Sequence, residues 1–264
     1  MKTNHLFSED KEQSFSAAKT NHLFSANKEQ SCLAKTKNIF CIIGTGTAIG
    51  KTYVTCSLLK HLSNQNKKVA ALKPLASGLI LNGGELINED TAKLMQAINI
   101  IQTANDINPI CYPDAIAPHI AAQTIASKSH TSSNNNTLSV KTIIAASETT
   151  IYRTTYDYLL IEGCGGLLVP LNDTETYLDL LKVWKFPVIL TVGMHLGCLN
   201  HTLLTYDCLN NNNIPIVGWI ANFIDPQMPY LKENLEFLNR KLPIPLLATV
   251  PYNQELQTTV YFNL

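Results

Sequence analysis

Asn38 to Thr52 reads NIFCIIGTGTAIGKT, and this stretch decides the fold. Ile39 to Ile43 is a short apolar run of the kind that forms a buried strand. A Gly/Thr-rich loop follows, then Gly50-Lys51-Thr52, then a segment with Val54, Leu58 and Leu62 on one helical face. Strand, glycine loop, GKT and helix in this order predict a phosphate-binding loop. Backbone N–H groups of such a loop, and of the helix N-terminus behind it, point at phosphate oxygens. Lys51 supplies a point charge beside the β- and γ-phosphates, and the Thr52 hydroxyl is of the type that ligates Mg²⁺. The strict pattern G-x-x-x-x-G-K-[ST] places glycine at position 45, where Thr45 stands; the nearest glycine, Gly44, comes one residue early. An ordinary strand-to-helix turn is the plainer alternative, but the pattern on both flanks favours the phosphate loop.

The chain has 264 residues, 45% of them hydrophobic, enough for one large α/β core or two small ones. Formal net charge is zero, and nothing in it argues for a nucleic-acid surface or an acidic partner. The cysteines (Cys32, Cys41, Cys56, Cys111, Cys164, Cys198 and Cys208) lack CxxC spacing and mostly lie in apolar runs. Buried reduced thiols, and hence a cytoplasmic protein, are expected. No apolar run reaches the length of about 18 residues that a membrane span needs, and the N-terminal segment has no signal-type apolar core.

Lys2 to Ser14 recurs almost unchanged as Lys19 to Ser31, and a degraded third copy, Lys35 to Phe40, runs into the first strand. These copies are polar and carry one Leu-Phe pair each. Residues 1–37 are therefore expected to be a mostly disordered extension, with a docking peptide as the sharper alternative. Residues 38–264 are expected to form a single P-loop α/β domain.

Further strands are expected at 67–74, 156–166, 187–193 and 214–223, with the last at 245–251. Helices are expected from about Asp90, with Ala92, Met95 and Ile98 as apolar positions, and at 119–127, 140–152, 196–209 and 230–241. Residues 75–88 read as a loop, 101–118 as irregular, and 127–139 as a low-complexity surface loop. Apolar strands alternating with helices mean an α/β fold: a mostly parallel sheet flanked by helices on both faces, P-loop NTPase-like. Ligands of such sheets sit at the carboxyl ends of the strands. That rule selects Thr45 to Thr52, Lys73 to Ser77, Glu162 to Gly166, Gly193 to Gly197, Asn222, and Pro251 to Glu255.

Glu162 at a strand end is either a carboxylate facing the phosphate loop, able to hold Mg²⁺, or a capping or salt-bridged residue. Gly163, Gly165 and Gly166 allow close approach of backbone to a ligand. Lys73, also at a strand end, either stabilises charge that develops during transfer or is a solvated surface lysine. Ser77 lies four residues on and is a candidate to bind substrate, a type that alone says little. Asp90 is equally a helix cap and a second metal carboxylate. Gly193, Gly197 and Asn200 surround a helix N-terminus, which is an anion site or a packing turn. His195 and His201 have no metal-ligand partners at the usual spacing, so no transition-metal site is expected.

Taken together these motifs resemble the dethiobiotin synthetase family from about residue 38 to 264. The resemblance rests on GTGTAIGKT, on LKPLASG with Lys73 twenty-two residues after Lys51, and on NEDTAKL, APHIAA, IEGCGGLLVPL, VGMHLGCLNHTLLT, GWIAN and VPYNQE in that order. The family loop, GTDTxxGKT, carries the same extra residue after its first glycine. The resemblance implies a homodimer that joins CO₂ to 7,8-diaminononanoate as a carbamate. ATP would phosphorylate the carbamate, and ring closure would give dethiobiotin. It implies Lys73 as the catalytic lysine on the carbamate, with Lys51 on the phosphates and Thr47 and Ser77 touching substrate. Thr52, Asp90 and Glu162 would hold Mg²⁺. Ala48, Ile49, Gly50 and Tyr53 would join Lys51 and Thr52 around ATP. Glu162, Gly163, Cys164 and Gly165 would line the nucleotide site with Asn222, Phe223, Pro251, Tyr252 and Asn253, and Glu255 would reach the ribose. The turn at Leu196, Gly197 and Asn200 would bind the substrate carboxylate from the partner subunit.

Two positions depart from the pattern. Gly46 replaces the loop aspartate, which puts catalytic efficiency in question. Asn234 stands where the family can place a tyrosine near the substrate carboxylate. Two other functions compete: a nucleotide-switch ATPase of the partition type and a weakly active paralogue. The first would carry a signature lysine five residues before Lys51, where Gly46 stands; Gly46 also motivates the second.

Overall fold

The computed structural model describes residues 38–128, 138–153 and 155–259. The N-terminal repeat and most of the low-complexity segment lie outside the described residues. The described residues belong to one compact unit.

Its main sheet has seven strands. In chain order they are β1 (Asn38–Gly44), β2 (Val69–Leu72), β7 (Tyr158–Gly166), β8 (Val188–Gly193), β9 (Ile216–Asn222), β10 (Leu246–Val250) and β11 (Gln257–Thr258). Across the sheet the order is β11-β10-β9-β8-β1-β7-β2. Every pairing is parallel except β10 with β11. The phosphate-loop strand β1 is central, between β7 and β8, and the chain leaves it in one direction and returns on the other side. A ligand crevice forms where strand order switches in this way.

Alternation along the strands assigns the two faces. Ile39, Cys41 and Ile43 of β1 pack into one core with Leu159 and Ile161, beneath α5 (Val140–Tyr152), α6 (Tyr177–Trp184), α7 (Cys198–Asn211) and α8 (Leu231–Lys241). Phe40 and Ile42 pack into the other with Tyr158 and Leu160. That second face is covered by α1 (Lys51–Asn64), α2 (Glu89–Ala97) and α3 (Ala104–Ile107). Helix α1 buries Val54, Leu58, Leu59 and Leu62 there, each worth roughly 1.5–3 kcal/mol of gross burial, which fixes the helix whose first turn closes the loop. The remaining helix, α4 (Pro118–Lys128), follows a proline-rich turn.

The strand and helix expectations hold in place and type, with five corrections. Residues 75–88 are not a loop: β3 (Leu75–Ser77) pairs with β6 (Ile110–Tyr112), and β4 (Ile80–Asn82) with β5 (Glu85–Ile87) forms a hairpin. These strands are three residues each, too short for a periodic signal. The irregular 101–118 segment contains α3 as well as β6. Helix α2 buries Thr91 and Leu94, whereas Met95 is 38% exposed. The cap at Asn88 starts the helix at Glu89, and that phase turns Leu94 onto α1. Finally, 245–251 is not the last strand, since the antiparallel β11 covers the β10 edge, and α6 is a helix not among the expected elements.

Candidate functional site

The chain from β1 into α1 closes around Gly50, the helix N-cap, at φ 79°. A left-handed residue is required there, and any Cβ would stand 2.2 Å from Asn222 Nδ2. Asn222, at the end of β9, donates from Nδ2 to the Ile49 carbonyl at 2.9 Å and so pins the loop to the sheet. Gly44 explains the glycine that stands one residue early. A Cβ at Gly44 would meet the Lys51 stem at 2.8 Å and Ile49 Cδ1 at 2.9 Å, so the loop folds back over this position. Lys51 Nζ donates to the Gly46 carbonyl at 2.7 Å.

Glu162 continues the face of Tyr158 and Leu160, and Lys73 that of Val69 and Ala71, so both point to the α1 side. They meet there. Lys73 Nζ lies 2.6 Å from Glu162 Oε1 and 2.7 Å from Asp90 Oδ2. Thr52 Oγ1 donates to the same Glu162 oxygen at 2.7 Å. Glu162 is fully buried and Lys73 is 4% exposed. Burial disfavours the Lys73 ammonium, but Glu162 and Asp90 outweigh it and hold its pKa above the ordinary lysine value. Burial likewise raises the Asp90 carboxyl, and the Lys73 charge with its hydrogen bond brings it below its usual value. For Lys51, burial and then the Lys73 charge lower the pKa to about 8. Lys73 is thus no surface lysine; Glu162 is salt-bridged, the plainer of its two sequence readings, while also facing the phosphate-loop threonine; and the Asp90 side chain is ion-paired, with Asn88 as the cap of α2.

These groups line a cavity of about 730 Å³. Thr47, Ala48, Gly50, Lys51, Thr52 and Tyr53 form its phosphate-loop wall, with Lys73, Ser77 and Asp90 on another side and Glu162, Cys164 and Gly165 completing it. Two buried polar atoms here have no protein partner among the described residues: Ser77 Oγ and Glu162 Oε2. Ile49 and Gly163 do not line it. Ile49 is buried against Gly44 and Gly193, and Gly163 lies against Ile42 and Ile43.

Of the other residues expected around the nucleotide, Phe223, Pro251, Tyr252 and Asn253, and Glu255 at the ribose, do not line this cavity. Phe223 donates its N–H to Val250 and packs on the core. Pro251, Tyr252 and Asn253 form the turn after β10, with Tyr252 exposed and Asn253 at φ 53°. The Tyr53 hydroxyl donates to the Gln254 carbonyl at 2.9 Å, and Lys60 pairs with Glu255 at 2.6 Å. Glu255 borders a second groove of about 680 Å³ along α1 and α2, which shares Thr52, Tyr53 and Lys93 with the first. Leu196, Gly197 and Asn200 are exposed at the start of α7 and do not line either concavity. Asn234 is on α8 and donates to the Tyr230 carbonyl.

The rings of His195 and His201 have their centres 6.2 Å apart, and among the described residues no three His, Cys, Asp or Glu side chains cluster as metal ligands. The described cysteines are free; Cys41 and Cys198 are buried, and Cys56, Cys111, Cys164 and Cys208 only partly so. No helix among the described residues is long and apolar enough to cross a membrane.

Sequence reasoning missed Asn88 and Asn108. Asn108 Nδ2 donates to the Lys73 carbonyl at 2.7 Å, and the Lys73 N–H donates to Ile107 at 2.6 Å, so the lysine's backbone is held on both sides. It also missed Ala115 to Pro118 and Val169-Pro170 as cavity walls. The quoted APHIAA and GGLLVPL motifs held that signal without a chemical side chain to mark it.

The family model described as "AAA domain" matches residues 38–259. ATP-dependent dethiobiotin synthetase BioD of Pseudoalteromonas translucida is 39% identical over 220 residues, covering 82% of this chain and 91% of that protein. The protein of the same name from Alteromonas mediterranea is 40% identical over 226 residues, covering 82% and 93%. That from Legionella pneumophila (strain Paris) is 40% identical over 215 residues, covering 81% and 94%. With the phosphate loop, the buried Lys73 and the strand-end Glu162 in place, this likeness over the whole described domain means that the chain belongs to the ATP-dependent dethiobiotin synthetase family.

Proposed function

We propose that the chain forms dethiobiotin from 7,8-diaminononanoate, CO₂ and ATP, with Lys73, Glu162, Asp90 and Thr52 at the reaction centre. The observation that carries this reading is the convergence of the Lys73 ammonium, two carboxylates and the phosphate-loop hydroxyl within 2.6–2.7 Å contacts at one end of the sheet.

One substrate amine adds to CO₂ and loses a proton, giving a carbamate. A carbamate oxygen attacks the γ-phosphorus and ADP leaves, giving a carbamic–phosphoric anhydride. The second amine then attacks the carbonyl carbon; phosphate departs, the amine proton is lost, and the cyclic urea closes. Each stage carries anionic oxygen past the same point, and a permanently charged, preorganised ammonium is suited to stabilise it. Lys73 is assigned this role. Lys51, on the loop, is assigned to the phosphates. Ser77, with its unpartnered buried hydroxyl, and Thr47 are assigned to the substrate side.

The donor set fits Mg²⁺: the Thr52 hydroxyl with Asp90 and Glu162, all hard oxygens, and a spare Oε2 on Glu162. Mg²⁺ held by them would neutralise charge on the nucleotide phosphates. Ion pairing to Lys73 holds the Asp90 carboxyl below its usual pKa and so favours the carboxylate such an ion would need. The turn Leu196–Asn200 lies outside this cavity and opens a helix N-terminus, so we assign it to the substrate carboxylate in the site of a second subunit of a homodimer.

The test is conversion of diaminononanoate to dethiobiotin with ATP and labelled bicarbonate, Lys73→Ala serving as control. Label in the product ring from the wild type alone supports the reading. A folded protein that hydrolyses ATP without incorporating label defeats it.

A further inference from the structure

We infer that Asn88 is a positioning residue that sets the substrate-side Ser77 against the phosphate-side Asp90; the inference rests on the proposed function. Asn88 is 7% exposed and uses both ends of its carboxamide. Oδ1 accepts from the Asp90 N–H at 3.1 Å and the Thr91 N–H at 3.3 Å, capping α2. Nδ2 donates to the Gly78 carbonyl at 2.9 Å and the Ser77 carbonyl at 3.3 Å. One side chain therefore fastens the end of β3 to the start of α2. The segment between them is the β4–β5 hairpin, whose Leu81 and Leu86 are 74% and 69% exposed and which has no core of its own.

The residue type separates two roles. As a helix cap, Asn is no better than Asp or Ser, because only an acceptor is needed. As a tether it is required, since only the amide offers donors to the two carbonyls while still accepting from the helix. The Asn88→Asp change would set a carboxylate against those carbonyl oxygens, and Asn88→Ser would leave a side chain too short to reach them. Without the tether, the Ser77–Gly78 turn and the hairpin hinge are free to move relative to Asp90 and its partner Lys73. Asn88 borders the cavity between Ser77 and Asp90, and loss of a supporting hydrogen bond at such a position typically matters by about 10–100-fold.

The experiment compares wild type, Asn88→Ser, Asn88→Asp and Asn88→Ala by thermal melting, by calorimetric titration of diaminononanoate, and by steady-state kinetics. We expect Asn88→Ser to melt within about 2 °C of wild type while its diamine dissociation constant and KM rise about tenfold and KM for ATP stays put. Asn88→Asp should show the same split with a larger loss, and Asn88→Ala should lose stability as well. Wild-type diamine affinity and KM in both Asn88→Ser and Asn88→Asp would overturn the inference, as would a loss in the variants confined to melting temperature. A wild type that binds no diamine would overturn the functional reading and this inference together. A wild type that binds it, with indifferent variants, would overturn this inference alone.

Discussion

Lys73 Nζ and Glu162 Oε1, from residues 89 apart in the chain, lie 2.6 Å apart with neither side chain reaching solvent appreciably. Parallel pairing of β2 with β7 places Leu72 beside Ile161, and the next residue on each strand completes the pair. Breaking a buried ion pair by removing one partner costs about 3–5 kcal/mol, because the other charge is left unpaired. Lys73→Ala and Glu162→Ala are each expected to abolish dethiobiotin synthesis and to destabilise the fold by that order in urea titrations. The double variant should be less destabilised than the sum, by more than about 1 kcal/mol. Additive losses would mean that the two charges do not interact energetically.

Gly46 is not constrained by space. A Cβ there would approach nothing closer than Ile49 Cγ2 at 3.9 Å, and the Lys51 ammonium binds the backbone carbonyl, which any residue retains. Gly46→Asp should therefore melt like the wild type. With a loop carboxylate added beside the substrate wall, kcat/KM should rise about tenfold, equivalent to about 1.4 kcal/mol. Unchanged kinetics would show that this chain performs the reaction without that group.

The loop depends on Gly50 and Asn222 together. Gly50→Ala introduces both a left-handed alanine, which costs about 1–2 kcal/mol, and a collision with Asn222 Nδ2. Asn222→Ala removes the collision but leaves the Ile49 carbonyl unpaired, at about 1–3 kcal/mol. Both single variants should bind ATP more weakly. The double variant should be more stable than additivity predicts, read from melting of each protein without nucleotide. Strict additivity would place the strain elsewhere.

Thr52 offers a test of the metal assignment. Thr52→Ser keeps the hydroxyl that donates to Glu162, and Thr52→Val removes it at nearly constant volume. The valine variant should lose at least about tenfold in Mg²⁺-dependent ATP affinity by calorimetry, with the serine variant close to wild type. Equal affinities in Thr52→Val and wild type at all Mg²⁺ concentrations would remove Thr52 from the ligand set.

Helix α3, whose Ile107 carbonyl holds the Lys73 backbone, is fixed by Asp106. Asp106 accepts from the Thr103 N–H at 2.8 Å and pairs with Arg153 at 3.0 Å. Burial opposes its ionisation, and the Thr103 hydrogen bonds with the Arg153 charge overcome that and lower its pKa. A carboxyl lowered in the folded state contributes stability above its unfolded pKa of about 3.9 and loses it as pH falls through the folded value. Asp106→Asn should thus cost about 1–2 kcal/mol at neutral pH, with the gap from wild type narrowing below about pH 4. A gap independent of pH would deny the charge any part.

Sequence alone determined the framework and its chemistry. The apolar run Ile39–Ile43 with GKT behind it specified strand, loop and helix, because burial period and phosphate-loop residue types are local properties. It also named Lys73, Asp90 and Glu162. Tertiary structure decided what they are to one another. Lys73 became the ionic partner of both Asp90 and Glu162 only through strand order and the packing of α2 on α1, which no local pattern encodes. Asn88 and Asn108 were illegible for the same reason: each acts through hydrogen bonds to backbone carbonyls, and a carbonyl has no letter in the sequence. The three-residue strands were illegible because pairing with a distant partner, not their own period, makes them strands.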